Sequence, residues 1–238
     1  MAEPRWLEFS RQLEDSRLGT TTAEKICHVA ATRVGGVAAS ISLFVDHAYL
    51  ALAESGPLAL LLDEAQFQLG DGPVFAAQGS AVPLIVEDIS GTDARAEFPA
   101  FGPIAESKNV GSIAAFPIGL GTAQLGTLNV YRESAGPLSA EEYANGLVAA
   151  SFALSEAIDY QAGVAKAVSS GELPGRFESS HLQIAAGMVA EALECSILES
   201  LVLIRARAFA DSVPVLQIAK AIEERTLVLD PEQQKGKP

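Results

Sequence analysis

"SIAAFPIGLGTAQLGTLNVYR", residues 112–132, decides how the first part of the chain folds. Two runs rich in apolar, β-branched and aromatic residues, "SIAAFPI" at 112–118 and "QLGTLNVYR" at 124–132, flank "GLGTA", whose glycines suit a reversal of direction. The stretch predicts a β-hairpin. Three similar runs precede it: "ASISLFV" at 39–45, "YLALAES" at 49–55 and "AVPLIVED" at 81–88, each bounded by Gly, Pro, Asp or Ser. Together they predict an antiparallel sheet of about five strands. Residues 3–17 and 21–34 read as helices, with Trp6, Phe9 and Leu13 on one face of the first. The expected class is α+β: an antiparallel sheet packed with helices, then a long connecting helix and a three-helix bundle.

The long helix is announced by "GPLSAEEY", where Ser139 and Glu142 have the S-x-x-E spacing that satisfies free amides at a helix start. Along it Leu147, Leu154, Gln161 and Val168 recur every seven residues, with Ala150, Ala157 and Val164 three positions after the first three. That pattern fits either packing onto the helix's own domain or a parallel dimer stalk. "SSGELPGR" at 169–176 then breaks the periodicity with Gly and Pro. The last folded part reads as three helices. One runs from about Glu178 to Leu193 with Leu182, Ala185, Val189 and Leu193 on one face. The second is capped by Ser196-x-x-Glu199 and turns Leu201, Ile204 and Ala208 inward, and the third, begun by Pro214, aligns Val215, Ile218, Ala219 and Ile222. The predicted divisions are 1–160, a helical linker and hinge at 161–177, the bundle at 178–228 and a flexible tail at 229–238.

Composition narrows the function. Half the residues are hydrophobic (49%) and 19% are charged, which is a packed soluble protein. No run approaches the ~20 apolar residues of a membrane span, and the start is too charged for a signal peptide, so the expectation is a cytoplasmic protein without membrane contact. The net charge of −14 argues against broad adhesion to nucleic acid. It is uneven: residues 1–160 carry 8 Lys+Arg against 20 Asp+Glu, and residues 161–238 carry 8 against 10. An anionic partner is tolerated in the C-terminal third. Cys27 and Cys195 have no metal-ligand spacing and read as two small buried thiols.

The three C-terminal segments "AAGMV" at 185–189, "LIRARAFA" at 203–210 and "VLQIAKAI" at 215–222 resemble, in order and spacing, the ANTAR domain of bacterial transcription antiterminators. Upstream, "LGDGPVFAA" at 69–77, "FPAFGPIA" at 98–105, "GSIAAFPI" at 111–118 and "LGTLNVYRESAGPLS" at 125–139 look like the GAF-type sensor domain found before ANTAR in actinobacterial proteins. The resemblance implies a homodimeric regulator that binds a two-hairpin leader transcript and favours its antiterminator form. Arg205 is the RNA-binding position carried over from the "LIRARAF" motif, and Arg207, Lys220 and Arg225 extend the basic edge. Arg205 and Arg207 project about 200° apart and cannot serve one face. Solvated or salt-bridged surface residues are the plain alternative for all four. Two positions depart from the family's pattern: Ile184 stands where Gln is common, with Gln183 one residue earlier, and Glu194 replaces a frequent Gly. Gly187 is expected to allow close helix approach, and Met188 and Phe209 to fill the core, base stacking being the alternative for Phe209.

For the GAF-like part, Phe67, Phe75 and Phe116 are candidate lining of a small-molecule pocket, against the alternative of a filled core. No enzyme chemistry is expected. Val74 stands where many ANTAR-linked GAF domains carry Cys, and His28, His47 and His181 lack triad or ligand spacing. No cofactor or metal is implied, and "GDGP" at 70–73 and "GLG" at 119–121 read as turns. The other reading is a ligand-sensing or protein-interaction module whose ANTAR domain serves dimerisation.

Overall fold

A computed structural model describes residues 4–45, 48–121, 123–170 and 178–229, and for side chains inside helices and strands omits 45, 48, 164–170, 178–180, 183 and 198. The chain divides into two compact units, Met1–Pro174 and Gly175–Pro238.

In the first unit, five strands form one antiparallel sheet: β1 (Ala38–Val45), β2 (Ala48–Glu54), β3 (Leu84–Val86), β4 (Ser112–Leu120) and β5 (Ala123–Arg132), in the order β2-β1-β5-β4-β3. All five expected runs are strands, the third shortened to three residues. The predicted hairpin is β4–β5, turning at Gly121 in the left-handed region (φ 63°). Alternation along the strands sends Ala39, Ile41, Leu43, Ala114, Phe116, Ile118, Leu128 and Val130 to one face, where they meet Ile26, Ala30, Ala150, Ala153 and Ala157. These come from α2 (Thr22–Arg33), closed by a capping box between Thr21 and Glu24, and α7 (Ala140–Ser170). α1 (Arg5–Asp15) joins through Phe9, whose ring stacks on Phe152 at 5.0 Å. Trp6 does not share that burial: it is 58% exposed.

The Ser139–Glu142 box forms as expected, Glu142 accepting from the Ser139 amide at 2.7 Å and Ser139 Oγ from the Glu142 amide at 3.2 Å. The part of the expected linker at 161–170 continues α7, and residues 171–177 lie outside the described ones. The segment between β2 and β4 holds helices as well as β3: α3 (Pro57–Leu69), α4 (Pro73–Ala76), α5 (Thr92–Glu97) and α6 (Phe101–Ser107). They cover the sheet's second face, with Phe98, Phe101, Ile113 and Tyr131 in a second core. "GDGP" is a turn, and Asp71 within it accepts from the Ala100 and Phe101 amides at the start of α6 (2.9 and 3.0 Å).

The second unit is three helices: α8 (Glu178–Leu193), α9 (Ile197–Asp211) and α10 (Val215–Glu223). Leu182, Ala185, Val189, Leu201, Ile204, Ala208, Val215, Ile218, Ala219 and Ile222 are all buried, which reproduces the predicted stripes apart from Leu193, which is half-buried. The Ser196–Glu199 capping box is present, whereas Pro214 is the residue before α10 rather than its first. Gly187 has no neighbour within 4 Å of where a Cβ would stand, so close helix approach is not its role. Phe209, expected in the core, is 81% exposed. The tail 230–238 lies outside the described residues.

Candidate functional sites

On the second face of the sheet, alternation places polar side chains where a packed core would carry apolar ones. Ser40 and Ser42 of β1, Thr127, Asn129 and Tyr131 of β5, Tyr49 of β2, and Asp63 and Gln66 of α3 are all buried. Their hydrogen bonds converge on one carboxylate. Asp63 Oδ1 accepts from Ser40 Oγ at 2.7 Å and Tyr131 Oη at 2.8 Å, and Oδ2 accepts from Ser42 Oγ at 3.0 Å and Tyr49 Oη at 2.8 Å. Asn129 Nδ2 in turn donates to both serine hydroxyls (3.2 and 3.1 Å), and Gln66 Nε2 donates to Tyr131 Oη at 3.0 Å. Gln66 Oε1 accepts from the Val74 amide at 3.0 Å. Glycine at position 72, at φ 131°, is required there, because a Cβ would strike the Gln66 side chain.

Electrostatics follow from burial. Loss of water pushes the Asp63 carboxyl above its ordinary value, and the four hydroxyl donors only partly offset that. The same desolvation, followed by the field of Asp63, drives Tyr49 and Tyr131 well above the usual phenol range, so both stay protonated donors. Two buried polar atoms of this cluster have no hydrogen-bond partner among the described residues: Asn129 Oδ1 and Thr127 Oγ1, two residues apart on β5. Asn129 spends its amide hydrogens on the β1 serines, and its register partner on β4 is the small Ala115. Hydrogen-bonding capacity is thus left over on this buried face.

The aromatic candidates separate. Tyr49 stacks on Phe67 (5.3 Å) and lies 5.6 Å from Phe75, and Phe44 approaches Phe75 at 6.2 Å. Phe67 and Phe75 therefore stand at one site beside the carboxylate cluster. Phe116 does not: it is fully buried on the opposite face and meets Tyr143 of α7 edge-on. Strand alternation in β4 is the physical reason. A recess of about 440 Å³ opens next to Phe44, lined also by Gln78, Gly79, Ala81, Gly121 and Gln124. Val74 is wholly buried, and Cys27, raised by desolvation, donates from Sγ to the Ala53 carbonyl at 3.4 Å. The cluster around Asp63 was not read from the sequence. Alternating Ser40-x-Ser42 and Thr127-x-Asn129-x-Tyr131 were the available signal.

The basic candidates of the second unit also divide. Arg205 is half-buried, and desolvation lowers its guanidinium pKa. Arg207 donates from Nε to Asp211 at 2.6 Å, one turn along α9. Lys220 and Arg225 are exposed, Arg225 just past α10 at φ 57°. His181 pairs through Nδ1 with Glu223 at 2.5 Å and ties α8 to α10; His47 lies outside the described residues. Ile184 is exposed, and the side chain of Gln183 lies outside the described ones. Half-buried Met188 lines an apolar recess of about 490 Å³ with Val189, Ile222, Leu227 and Leu229.

The first unit is thus a mixed α+β domain of five antiparallel strands covered by helices on both faces. Its fold is shared with a solved domain from Sinorhizobium meliloti 1021, from a protein described as a two-component sensor histidine kinase. The likeness has a TM-score of 0.50 at 18% identity, over 63% of this chain and 99% of that one. The GAF domain of an Acinetobacter phosphoenolpyruvate-protein phosphotransferase superposes with a TM-score of 0.48 at 14% identity, over 69% and 98%. A free methionine-R-sulfoxide reductase from Neisseria meningitidis gives 0.45 at 15%, over 68% and 96%. The architecture agrees with the antiparallel sheet packed with helices expected from the sequence. No protein-family model and no curated protein matches the chain. No described helix is long and apolar enough to cross a membrane.

Proposed function

We propose that the protein is a cytoplasmic, non-enzymatic RNA-binding regulator acting by transcription antitermination. In this reading the GAF-like unit senses a small molecule and the three-helix unit is an ANTAR domain that engages a two-hairpin transcript. The observation that supports it most is the burial pattern of α8, α9 and α10. The apolar positions of the three resembling segments, apart from Ala206, Phe209 and Ala210, turn inward or half-inward, which leaves Lys220 and Arg225 in solvent where phosphates are met. Arg207 contributes once its bond to Asp211 is exchanged for a phosphate. Arg205, half-buried, acts by holding α9 rather than by leading the contact.

The test is a titration of the full chain against a two-hairpin RNA and a single-hairpin control at two salt concentrations. Tight, salt-sensitive preference for the two-hairpin RNA is expected. Lys220→Ala and Arg225→Ala should each weaken binding and lower the slope of log affinity against log salt by about one. Absence of binding at either salt would sink the RNA reading. A second reading, a ligand-sensing module whose bundle only associates with protein, is favoured by exposed Phe209 and by the unspent acceptor Asn129 Oδ1. Co-purification of a small molecule without RNA would support it.

A further inference from the structure

The hydrogen-bond network around Asp63 fixes which end of the Asn129 amide is unspent. Ser40 and Ser42 give their hydroxyl hydrogens to Asp63, so toward Asn129 they only accept, and Nδ2 donates to both. The two ends of a planar amide point apart. Oδ1 is therefore turned from β1 toward β4, the neighbour of β5 on its other side, where the register partner is Ala115. Thr127, two residues along, is paired there with Pro117. A methyl group and a proline ring offer no donor, and neither Asn129 Oδ1 nor Thr127 Oγ1 has a hydrogen-bond partner among the described residues, although both side chains are buried. Cover over this corner is incomplete, since Pro117 is only half-buried. Phe44, two residues beyond Ser42 on β1, and Gln124 line the recess of about 440 Å³ at the hairpin end of the same face.

We infer that this corner binds a neutral small molecule whose N–H edge, an amide, a lactam or an amino-substituted ring, donates to Asn129 Oδ1 and meets Thr127 Oγ1, with its apolar part in the recess beside Phe44. The inference rests on the reading of this unit as a small-molecule sensor and narrows it to a chemical class. Charge decides the class. A carboxylate or phosphate brings only acceptors, which would face the Asn129 carbonyl oxygen on the same side of the sheet as Asp63, and no Lys, Arg or His belongs to the described cluster or lines the recess. A cation fares no better. Asp63 Oδ1 already takes hydroxyls from Ser40 and Tyr131, and Oδ2 from Ser42 and Tyr49, so the four acceptor positions of the carboxylate are filled and an ammonium group finds none. What is unmet is one carbonyl acceptor and one hydroxyl, the demand of an uncharged hydrogen-bonding ligand.

The probes are nicotinamide and nicotinate, alike in ring and size, one carrying an amide N–H and the other a negative charge. The full chain is titrated with each at neutral pH and binding is read by saturation-transfer NMR. Nicotinamide should bind about tenfold or more tighter than nicotinate. Thr127→Val, close in shape, should weaken nicotinamide roughly threefold or more with the thermal melt retained, and Thr127→Ser should restore it. Ala81→Trp, at an exposed position of the recess lining, reaches the same site without touching the core and should abolish binding. Equal or tighter binding of nicotinate, or nicotinamide binding indifferent to both Thr127→Val and Ala81→Trp, would overturn the inference and leave the sensor reading standing. Mass spectrometry of small molecules released when the purified protein is denatured separates the two failures: an anion released from the wild type but not from Ala81→Trp would overturn the chemical class alone. No released molecule, together with no binding of either probe, would overturn the sensor reading as well.

Discussion

A carboxylate taken out of water needs compensation, and at Asp63 it comes from four neutral hydroxyls rather than a cation. The sign of its pH effect follows. Because the folded-state pKa lies above the ordinary value of 3.8, stability is fully present below that value and falls as pH rises through the folded pKa. Thermal melts from mildly acidic to neutral pH should therefore show a component of destabilisation that Asp63→Asn abolishes; identical pH profiles for the two proteins would refute it. The sequence concealed this residue. Nothing in "LLLDEAQFQL" marks Asp63 as buried, and only the register of β1 and β5 brings the serines and tyrosines to it. Phe209 misled in the opposite direction, since an aromatic in an apolar helix is normally core and nothing in the sequence marks which side of α9 faces away from α8 and α10.

At the scale of elements, legibility tracked length and periodicity. The hairpin β4–β5 and helices α2, α7, α8 and α9 carry a clear period or a capping box and were read close to their ends. Helices α3, α4, α5 and α6 were not read. Pro57, Gly70, Gly72, Pro73, Pro83, Gly91, Pro99, Gly102 and Pro103 cut that segment into helices of 13, 4, 6 and 7 residues, mostly too short for a 3.6-residue pattern to show. One departure noticed in the sequence has a measurable consequence. Glu194 ends α8 at φ 52°, and the Cys195 amide bonds back to the Ala190 carbonyl at 3.0 Å, so the helix closes with a left-handed residue that is not glycine. Glu194→Gly should relieve about 1 kcal/mol of backbone strain. A higher urea midpoint is expected, and an unchanged or lower one would show that the side chain contributes something else. In α7 the opposite holds: a methyl group at Gly146 would run into the Phe116 ring, so Gly146→Ala should cost about 1–3 kcal/mol despite its better helix propensity.

For the whole molecule, the charge distribution read from the sequence agrees with the division into units. Residues 1–174 carry 9 − 21 = −12 of the net −14, and residues 175–238 carry 7 − 9 = −2. The acidic first unit therefore repels polyanions more strongly than the bundle does, and any nucleic-acid affinity should be localised to the bundle. Trp6 bears on experiment in another way. It is the chain's one tryptophan and sits in solvent on α1, while Phe9 of the same helix is locked under Phe152. The protein thus carries a single tryptophan fluorophore stationed outside its core. Its emission should already be red-shifted in the native state and move little when the sheet melts, so what it reports is the neighbourhood of α1, and a blue shift would announce something arriving there.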